Sequence, residues 1–403
     1  MASPKADRPR RVVIVGASLA GLHAARTLRR EGFDGSLTVV GAERHRPYDR
    51  PPLSKQVLSA GWELDRADLT DESDAELDAT WLLGVRATGL DPAARRIELG
   101  DGTTLPYDGL VIATGARPRR LPGTPELEGI HELRTYEEAL ALRNGLDAVP
   151  GRVVIVGSGF VGAEVAAACR ARGLAVTVLE AGPEPFGRVL GAAVGGACAA
   201  LHRDRGVDVC AGATVVRFEG AERVERVVLA DGAAIDADLV VVGVGVRPET
   251  AWLEGSGLDL ADGVLCDRTG LAAPGIVAAG DVARWPSARS GRHVRVEHWD
   301  NAVRQGEHAA RRLLGHREPF DPVSWFWSDQ YDRKIQLAGD PAGHDEVVLL
   351  EDFAEQERLV ALYRRGDRLA AVAAINRPRL LLQFRRLVQA GSSWEEAFAA
   401  AHA

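Results

Sequence analysis

Two six-residue glycine turns carry the chemistry written most clearly in this chain. They are Gly16-Ala17-Ser18-Leu19-Ala20-Gly21 and Gly157-Ser158-Gly159-Phe160-Val161-Gly162. The same apolar run, RVVIV, precedes both, and an alanine-rich stretch follows each. A second apolar run then ends at an acidic residue, Glu43 in the first copy and Glu180 in the second. Glycines so placed allow a tight strand-to-helix turn and close helix packing. The helix N-terminus offers free N–H groups to a pyrophosphate, and the acid accepts ribose hydroxyls. One such unit points to a dehydrogenase. Two point to a pair of dinucleotides, FAD and NAD(P)H, held so that electrons pass between them.

The two copies are not equivalent. In the first, Gly16 makes the turn and Gly21 lets the helix pack, but Ser18 replaces the middle glycine and sets a hydroxyl near the phosphate. Its acid, Glu43, stands 27 residues beyond Gly16, against about 20 in the usual motif. The second copy is complete, and Glu180 follows Gly157 by 23 residues. A carboxylate there accepts both ribose hydroxyls and repels a 2′-phosphate, which predicts NADH over NADPH. The nearest following basic residue is Arg188. Glu164, on the first turn of the second helix, has two readings: favouring the helix N-terminus, or contacting the nicotinamide carboxamide.

The elements that position these turns also repeat. Arg95–Leu99 and Thr104–Leu105 flank an Asp101-Gly102 turn and read as a hairpin; Val227–Leu229 and Ile235 do the same around Asp231-Gly232. Each hairpin leads to a fully apolar strand, Leu110–Ala113 ending in Thr114-Gly115 and Leu239–Val242 ending in Gly243-Val244-Gly245. Strands apolar throughout belong to a sheet covered on both faces. Ile276–Ala279, closed by Gly280-Asp281, and an amphipathic helix over Asn301–Leu314 read as the first half resuming. From about Phe320 the pattern changes to strands at Val347–Leu350, Leu359–Tyr363 and Leu369–Ala374, with turns at Asp352 and Gly366-Asp367, then helices at Leu380–Val388 and Trp394–Ala401. The expected fold is α/β, with two nested Rossmann-like dinucleotide-binding domains and a C-terminal α+β domain. The FAD-binding domain takes residues 1–115 and 243–319, the NADH-binding domain 116–242, and the C-terminal domain 320–403.

The chain has 403 residues, a net charge of −8 and a 46% hydrophobic fraction, which suits two or three packed domains and argues against nucleic acid as a partner. No run approaches the roughly 20 apolar residues of a membrane span. The polar, basic first ten residues lead into no leader-like apolar stretch. The expected setting is the cytoplasm. Cys169, Cys198, Cys210 and Cys266 form no close pair, which predicts no redox disulfide, no zinc site and no protein-ligated iron–sulfur cluster.

Three further segments extend the pattern: Tyr48-Asp49-Arg50-Pro51-Pro52-Leu53-Ser54-Lys55, Gly280-Asp281-Val282-Ala283, and Trp325-Phe326-Trp327-Ser328-Asp329-Gln330-Tyr331. With the glycine turns they closely resemble the NADH-dependent ferredoxin reductases of bacterial oxygenase systems, over nearly the whole chain. The resemblance implies a flavoprotein, with FAD bound and NADH as substrate, that feeds a 2Fe–2S ferredoxin serving a haem-thiolate monooxygenase or a Rieske oxygenase. It implies a monomer or weak homodimer, and no metal. It places Lys55 near the isoalloxazine, Arg50 and Arg134 in flavin contact, Asp281 on the ribitol, and the Trp299 backbone at the pyrimidine edge. Trp327 lies by the flavin on the route to the partner, and Glu164 and Glu297 lie close to the nicotinamide. Lys55, Glu164 and Trp327 are the catalytic candidates. Ala87, Ala113, Thr114, Gly115, Gly280, Arg188 and Gly245 join the turn residues as cofactor contacts. Two positions depart from the family: Ala42 stands where an acid is common, with Glu43 one place later, and Glu184 stands where a basic residue is common. Arg333, Lys334, Arg311, Arg312, Arg385 and Arg386 are docking candidates for an acidic ferredoxin. A reductase linked to rubredoxin or nitrite reductase, and an NADH-sensing flavoprotein related to apoptosis-inducing factor, fit the same motifs.

Overall fold

The computed structural model describes residues 8–148, 151–351 and 358–402; the turn expected at Asp352 lies outside them. It divides into two compact units. The first comprises the chain up to Asp49, Ala67–Arg117 and Arg247–Ser324; the second comprises Arg50–Arg66, Pro118–Val246 and the chain from Trp325.

The first unit is built on a six-stranded sheet in the order Leu271–Ala273, Ile276–Ala278, Gly109–Ile112, Arg11–Val15, Ser36–Gly41, Ala79–Leu83. All neighbours are parallel except the first pair. The central strands are buried on both faces, between one apolar cluster around Ile97, Tyr107 and Trp285 and another around Leu22, Leu28 and Ala309. Their side chains alternate between these two cores, hence the unbroken apolar runs. The helices Leu19–Arg30 and Trp299–Leu313 pack at Ala20 and Gly306. A Cβ on Gly306 would stand 2.4 Å from the Ala20 carbonyl oxygen, so only glycine permits this approach. The hairpin predicted around Asp101-Gly102 is present as Arg96–Leu99 and Thr104–Pro106, joined by Ala87–Asp91.

The second unit holds a parallel sheet in the order Val207–Cys210, Ala175–Leu179, Arg152–Val156, Leu239–Val242, Ile130–His131. It also holds an antiparallel sheet in the order Trp325–Gln330, Arg333–Gly339, Arg368–Ile375, Leu359–Arg365, Glu346–Glu351. One apolar cluster joins them, running from Ala163, Phe186 and Leu190 to Phe326, Leu337 and Tyr363. Leu58, fully buried against Leu142 and Val165, ties residues 50–66 into the same unit. The helix Trp394–Ala401 starts on a Ser393–Glu396 capping box.

Among the elements that the sequence pattern does not reveal are the strands Ala79–Leu83, Val207–Cys210, Trp325–Gln330 and Arg333–Gly339, and the helix Gly187–Asp204. The helix is interrupted at Gly191, whose φ of 73° breaks the helical period that would reveal it.

Candidate functional site

In the first unit the glycine turn is sterically closed. Gly16 has φ +125°, and a Cβ there would lie 2.0 Å from the Ala113 carbonyl oxygen. A Cβ on Gly21 would lie 1.9 Å from the Gly16 carbonyl oxygen. Ser18 is the N-cap of Leu19–Arg30, yet its side chain makes no capping bond. The first-turn N–H groups, from Leu19 through Gly21, are thus left for an anion, with the Ser18 hydroxyl beside them. This cradle fits the pyrophosphate of FAD. Glu43, at the end of the next strand, accepts a hydrogen bond from the Tyr48 hydroxyl. Ala113, Thr114 and Gly115 follow the adjacent strand. The Thr114 hydroxyl donates to the Glu249 carbonyl at 2.7 Å, and the Glu249 N–H donates to the Gly115 carbonyl at 2.9 Å. Ala87 begins the Ala87–Asp91 strand.

The return to this unit brings Gly280 and Asp281 to a short 3₁₀ turn, where buried Gln305 accepts the Gly280 N–H at 2.9 Å. Trp299 donates its indole N–H to Asp49 at 2.8 Å. Arg295 binds Glu297 at 2.6 Å, Asp262 at 3.2 Å and the Asp281 carbonyl at 3.2 Å. Arg295 and Gln305 were missed from sequence, because neither lies in a recognisable motif.

In the second unit, Gly157 has φ +100° and would place a Cβ 2.4 Å from the Gly243 carbonyl oxygen; Gly162 would place one 2.6 Å from the Gly157 carbonyl oxygen. Gly159, the middle glycine, has no protein atom nearer than 3.8 Å to its ideal Cβ. That space suits a dinucleotide backbone. Phe160 and Val161 open the helix Phe160–Ala171; the Phe160 ring meets the edge of Phe326 at 4.6 Å, and Val161 is exposed. The Glu180 carboxylate accepts the Ser158 N–H at 3.1 Å, the Ser158 hydroxyl, and the Gly182 N–H at 2.9 Å. Burial pushes the Glu180 pKa up, but these bonds and the charge of Arg188 outweigh it and hold the group below the usual carboxylate range. The Arg188 guanidinium lies about 3.8 Å from the ideal Cβ of Gly245, a residue with φ +98°.

A second, buried polar group lies in this unit. Lys55 follows the Pro51–Ser54 turn; its Nζ is 2.9 Å from Glu164 Oε2 and donates to the Pro51 carbonyl at 3.0 Å. The Ser54 hydroxyl donates to the same carboxylate oxygen, and Ser328 donates to the other at 2.6 Å. Glu164 is only 6% exposed, so it is a buried anion with three donors rather than a surface helix charge. Arg50 donates to the Arg134 carbonyl, and the Arg134 N–H donates to Glu138 at 2.7 Å. Trp327 neighbours Ser328 on the opposite face of its strand and stacks with Trp325 at 5.1 Å, while Arg385 sits over Trp325 at 5.4 Å. Ser54 and Ser328 were each quoted in a sequence motif, but only the fold brings them to Glu164.

The docking candidates are less basic than their sequence suggests. Arg333 pairs with Asp332 at 2.6 Å, Lys334 with Asp329 at 2.8 Å, and Arg311 with Glu31 at 2.9 Å. All four cysteines are free thiols. Burial pushes Cys169, Cys198 and Cys266 up to about 12. Among the described residues, no cluster of potential metal ligands occurs, and no helix is long and apolar enough to cross a membrane.

Residues 10–306 match the family described as pyridine nucleotide-disulphide oxidoreductase, and residues 325–403 match a reductase C-terminal family. The chain belongs to the pyridine nucleotide-disulphide oxidoreductases. It is 39% identical to the biphenyl dioxygenase system ferredoxin–NAD(+) reductase component of Paraburkholderia xenovorans (strain LB400), over 94% of this chain and 92% of that one. It superposes on putidaredoxin reductase, solved in covalent complex with putidaredoxin, with a TM-score of 0.91 and 33% identity, over 95% of this chain and 93% of that one. The ferredoxin reductase for the CYP199A2 system of Rhodopseudomonas palustris gives a TM-score of 0.91 and 35% identity, covering 95% of both chains. Family membership makes FAD and NADH the cofactors of this oxidoreductase, and the fold is the expected α/β architecture with a C-terminal antiparallel sheet domain.

Proposed function

We propose that this oxidoreductase carries electrons from NADH through FAD to a 2Fe–2S ferredoxin serving a haem-thiolate or Rieske oxygenase, in the cytoplasm, as a monomer or weak homodimer. The balanced reaction is NADH plus two oxidised ferredoxins giving NAD⁺, two reduced ferredoxins and one proton. Bound FAD supplies the conversion of an electron pair into single electrons. The observation that carries this reading is the buried Lys55–Glu164 pair, held in the unit that also bears the complete glycine turn.

Each residue then has a part. We assign FAD to residues 1–115 and 243–319, with Gly16, Ser18, Leu19, Ala20 and Gly21 on the pyrophosphate and Glu43 on the ribose. Ala87, Ala113, Thr114, Gly115, Gly280, Asp281 and Trp299 complete that set. We assign NADH to residues 116–242, with Gly157, Gly159, Phe160, Val161, Gly162 and Arg188 along the phosphates and Glu180 on the ribose; Gly245, just past that segment, joins them. Lys55 has two of its three N–H groups occupied, by Glu164 and Pro51, and the third serves the flavin ring. Arg50 and Arg134 hold the flavin loop, while Glu164 and Glu297 orient the nicotinamide. Trp327, in the C-terminal domain (320–403), stands on the electron exit. The residues act by orientation and by fixed charge, with no acid–base triad.

Anaerobic stopped-flow mixing with NADH should bleach the yellow flavin, and NADH-driven cytochrome c reduction should depend on added 2Fe–2S ferredoxin. Protein that stays colourless after reconstitution with FAD, or a rate indifferent to any ferredoxin, would overturn the proposal.

A further inference from the structure

A line of side chains leads away from Glu164 within the second unit. Ser328 donates to Glu164 Oε1 at 2.6 Å, and Gln330 Nε2 donates to Ser328 Oγ at 3.1 Å. His202 Nε2 lies 2.9 Å from Gln330 Oε1, and the Tyr331 hydroxyl lies 2.9 Å from His202 Nδ1. Ser328, Gln330 and His202 are fully buried, while Tyr331 is partly exposed.

The carboxylate decides every proton in this line. It only accepts, so Ser328 gives it the one hydroxyl hydrogen. Ser328 Oγ must then accept, which turns the NH₂ of Gln330 toward it and the carbonyl of Gln330 toward His202. That carbonyl also only accepts, so His202 carries its hydrogen on Nε2, and Nδ1 accepts from Tyr331. All four bonds point toward Glu164, and bonds aligned in this way polarise one another. Burial pushes His202 down to about 4 and Tyr331 up to about 12, so both groups stay neutral at physiological pH. The central amide passes no proton without taking its imidic acid form, so the line orients Glu164 rather than conducting protons.

Backbone strain converges on the same imidazole. Among the described residues, two aromatic residues adopt left-handed φ: Phe186 at 62° and Tyr331 at 55°. Both touch His202. The Phe186 ring stacks on it at 5.1 Å and 11°, and the Tyr331 ring meets it edge-on at 5.2 Å. Tyr331 and Asp332 form the whole loop between strands Trp325–Gln330 and Arg333–Gly339, a place where Asn-Gly is the relaxed choice. An aromatic side chain held against its backbone preference on both sides of one histidine marks a constrained arrangement.

We propose that Ser328, Gln330, His202 and Tyr331 are positioning residues that fix the orientation of the Glu164 carboxylate, and through it the Lys55 ammonium. This rests on the reading of Glu164 and Lys55 as residues of the nicotinamide–flavin site. Gln330→Glu keeps the shape but removes the donor to Ser328, so that two carboxylates compete for one hydroxyl hydrogen. In the holoenzyme it should slow flavin reduction by NADH at least tenfold while changing the NADH Kd less than twofold. Ser328→Ala carries the same test if that variant does not fold. Nitrogen-15 NMR of histidine-labelled holoenzyme, with His202 identified by its loss in His202→Gln, should show a neutral Nε2–H ring at pH 6. An Nδ1–H ring would overturn the inference. So would an unchanged reduction rate in Gln330→Glu alongside a slowed one in Glu164→Gln. If Glu164→Gln itself reduces its flavin at the normal rate, the reading of the site fails and the positioning role falls with it.

Discussion

Glu180→Gln tests the nucleotide preference. The carboxylate lies in a ring of donors, Ser158 N–H at 3.1 Å, Gly182 N–H at 2.9 Å and the Ser158 hydroxyl. Its pKa is held below the usual range, so it remains charged at any ordinary assay pH. Hydrogen bonds from ribose hydroxyls to such a charge contribute about 1.5–3 kcal/mol each. A 2′-phosphate at about 5 Å meets a repulsion of about 3 kcal/mol per unit charge at an effective dielectric of about 20. Neutralising the group removes the repulsion and weakens, without abolishing, the ribose bonds. With ionic screening, kcat/KM for NADH should fall about tenfold and that for NADPH should rise about tenfold, a change in selectivity of about 2.7 kcal/mol. Steady-state ferricyanide reduction with each nucleotide reads this without the ferredoxin step. A selectivity ratio that moves less than threefold would refute the placement of the adenosine ribose at Glu180.

Three further outcomes follow from the same geometry. Gly16→Ala forces a Cβ to 2.0 Å from the Ala113 carbonyl at φ +125°, so the variant should purify without visible flavin absorbance; a normally yellow protein would contradict the sterics. His202 is pushed from 6.5 down to about 4 by burial. Its contribution is therefore whole above pH 6.5 and is lost progressively as the pH falls to about 4, by about 3 kcal/mol in all; the Tm should drop over that window, and His202→Gln should flatten the slope. Native protein should expose at most one reactive thiol, Cys210, to a disulfide titrant, because the other three cysteines are buried and raised to about 12; two or more reacting before denaturation would contradict this.

The duplicated glycine turns, the apolar strands and the Lys55 and Trp327 segments are local patterns, and the sequence displays them directly. A turn that excludes a Cβ demands glycine, and a strand buried on both faces demands an unbroken apolar run; each constraint acts within a few neighbouring residues. The surroundings of the buried carboxylate are different in kind. Ser54 and Glu164 are 110 positions apart, Ser328 and Glu164 are 164 apart, and His202 and Gln330 are 128 apart. No periodicity links such pairs, because they meet only when the Pro51–Ser54 turn and the Trp325–Gln330 strand pack against the helix that begins at Phe160, and the Gly187–Asp204 helix packs against that strand. The allocation of residues 50–66 to the second unit has the same origin, in the packing of Leu58 against Leu142 and Val165. Sequence alone determined which groups are candidates for binding; tertiary packing decided which polar atoms face one another, since a hydrogen bond depends on the distance through space and not along the chain.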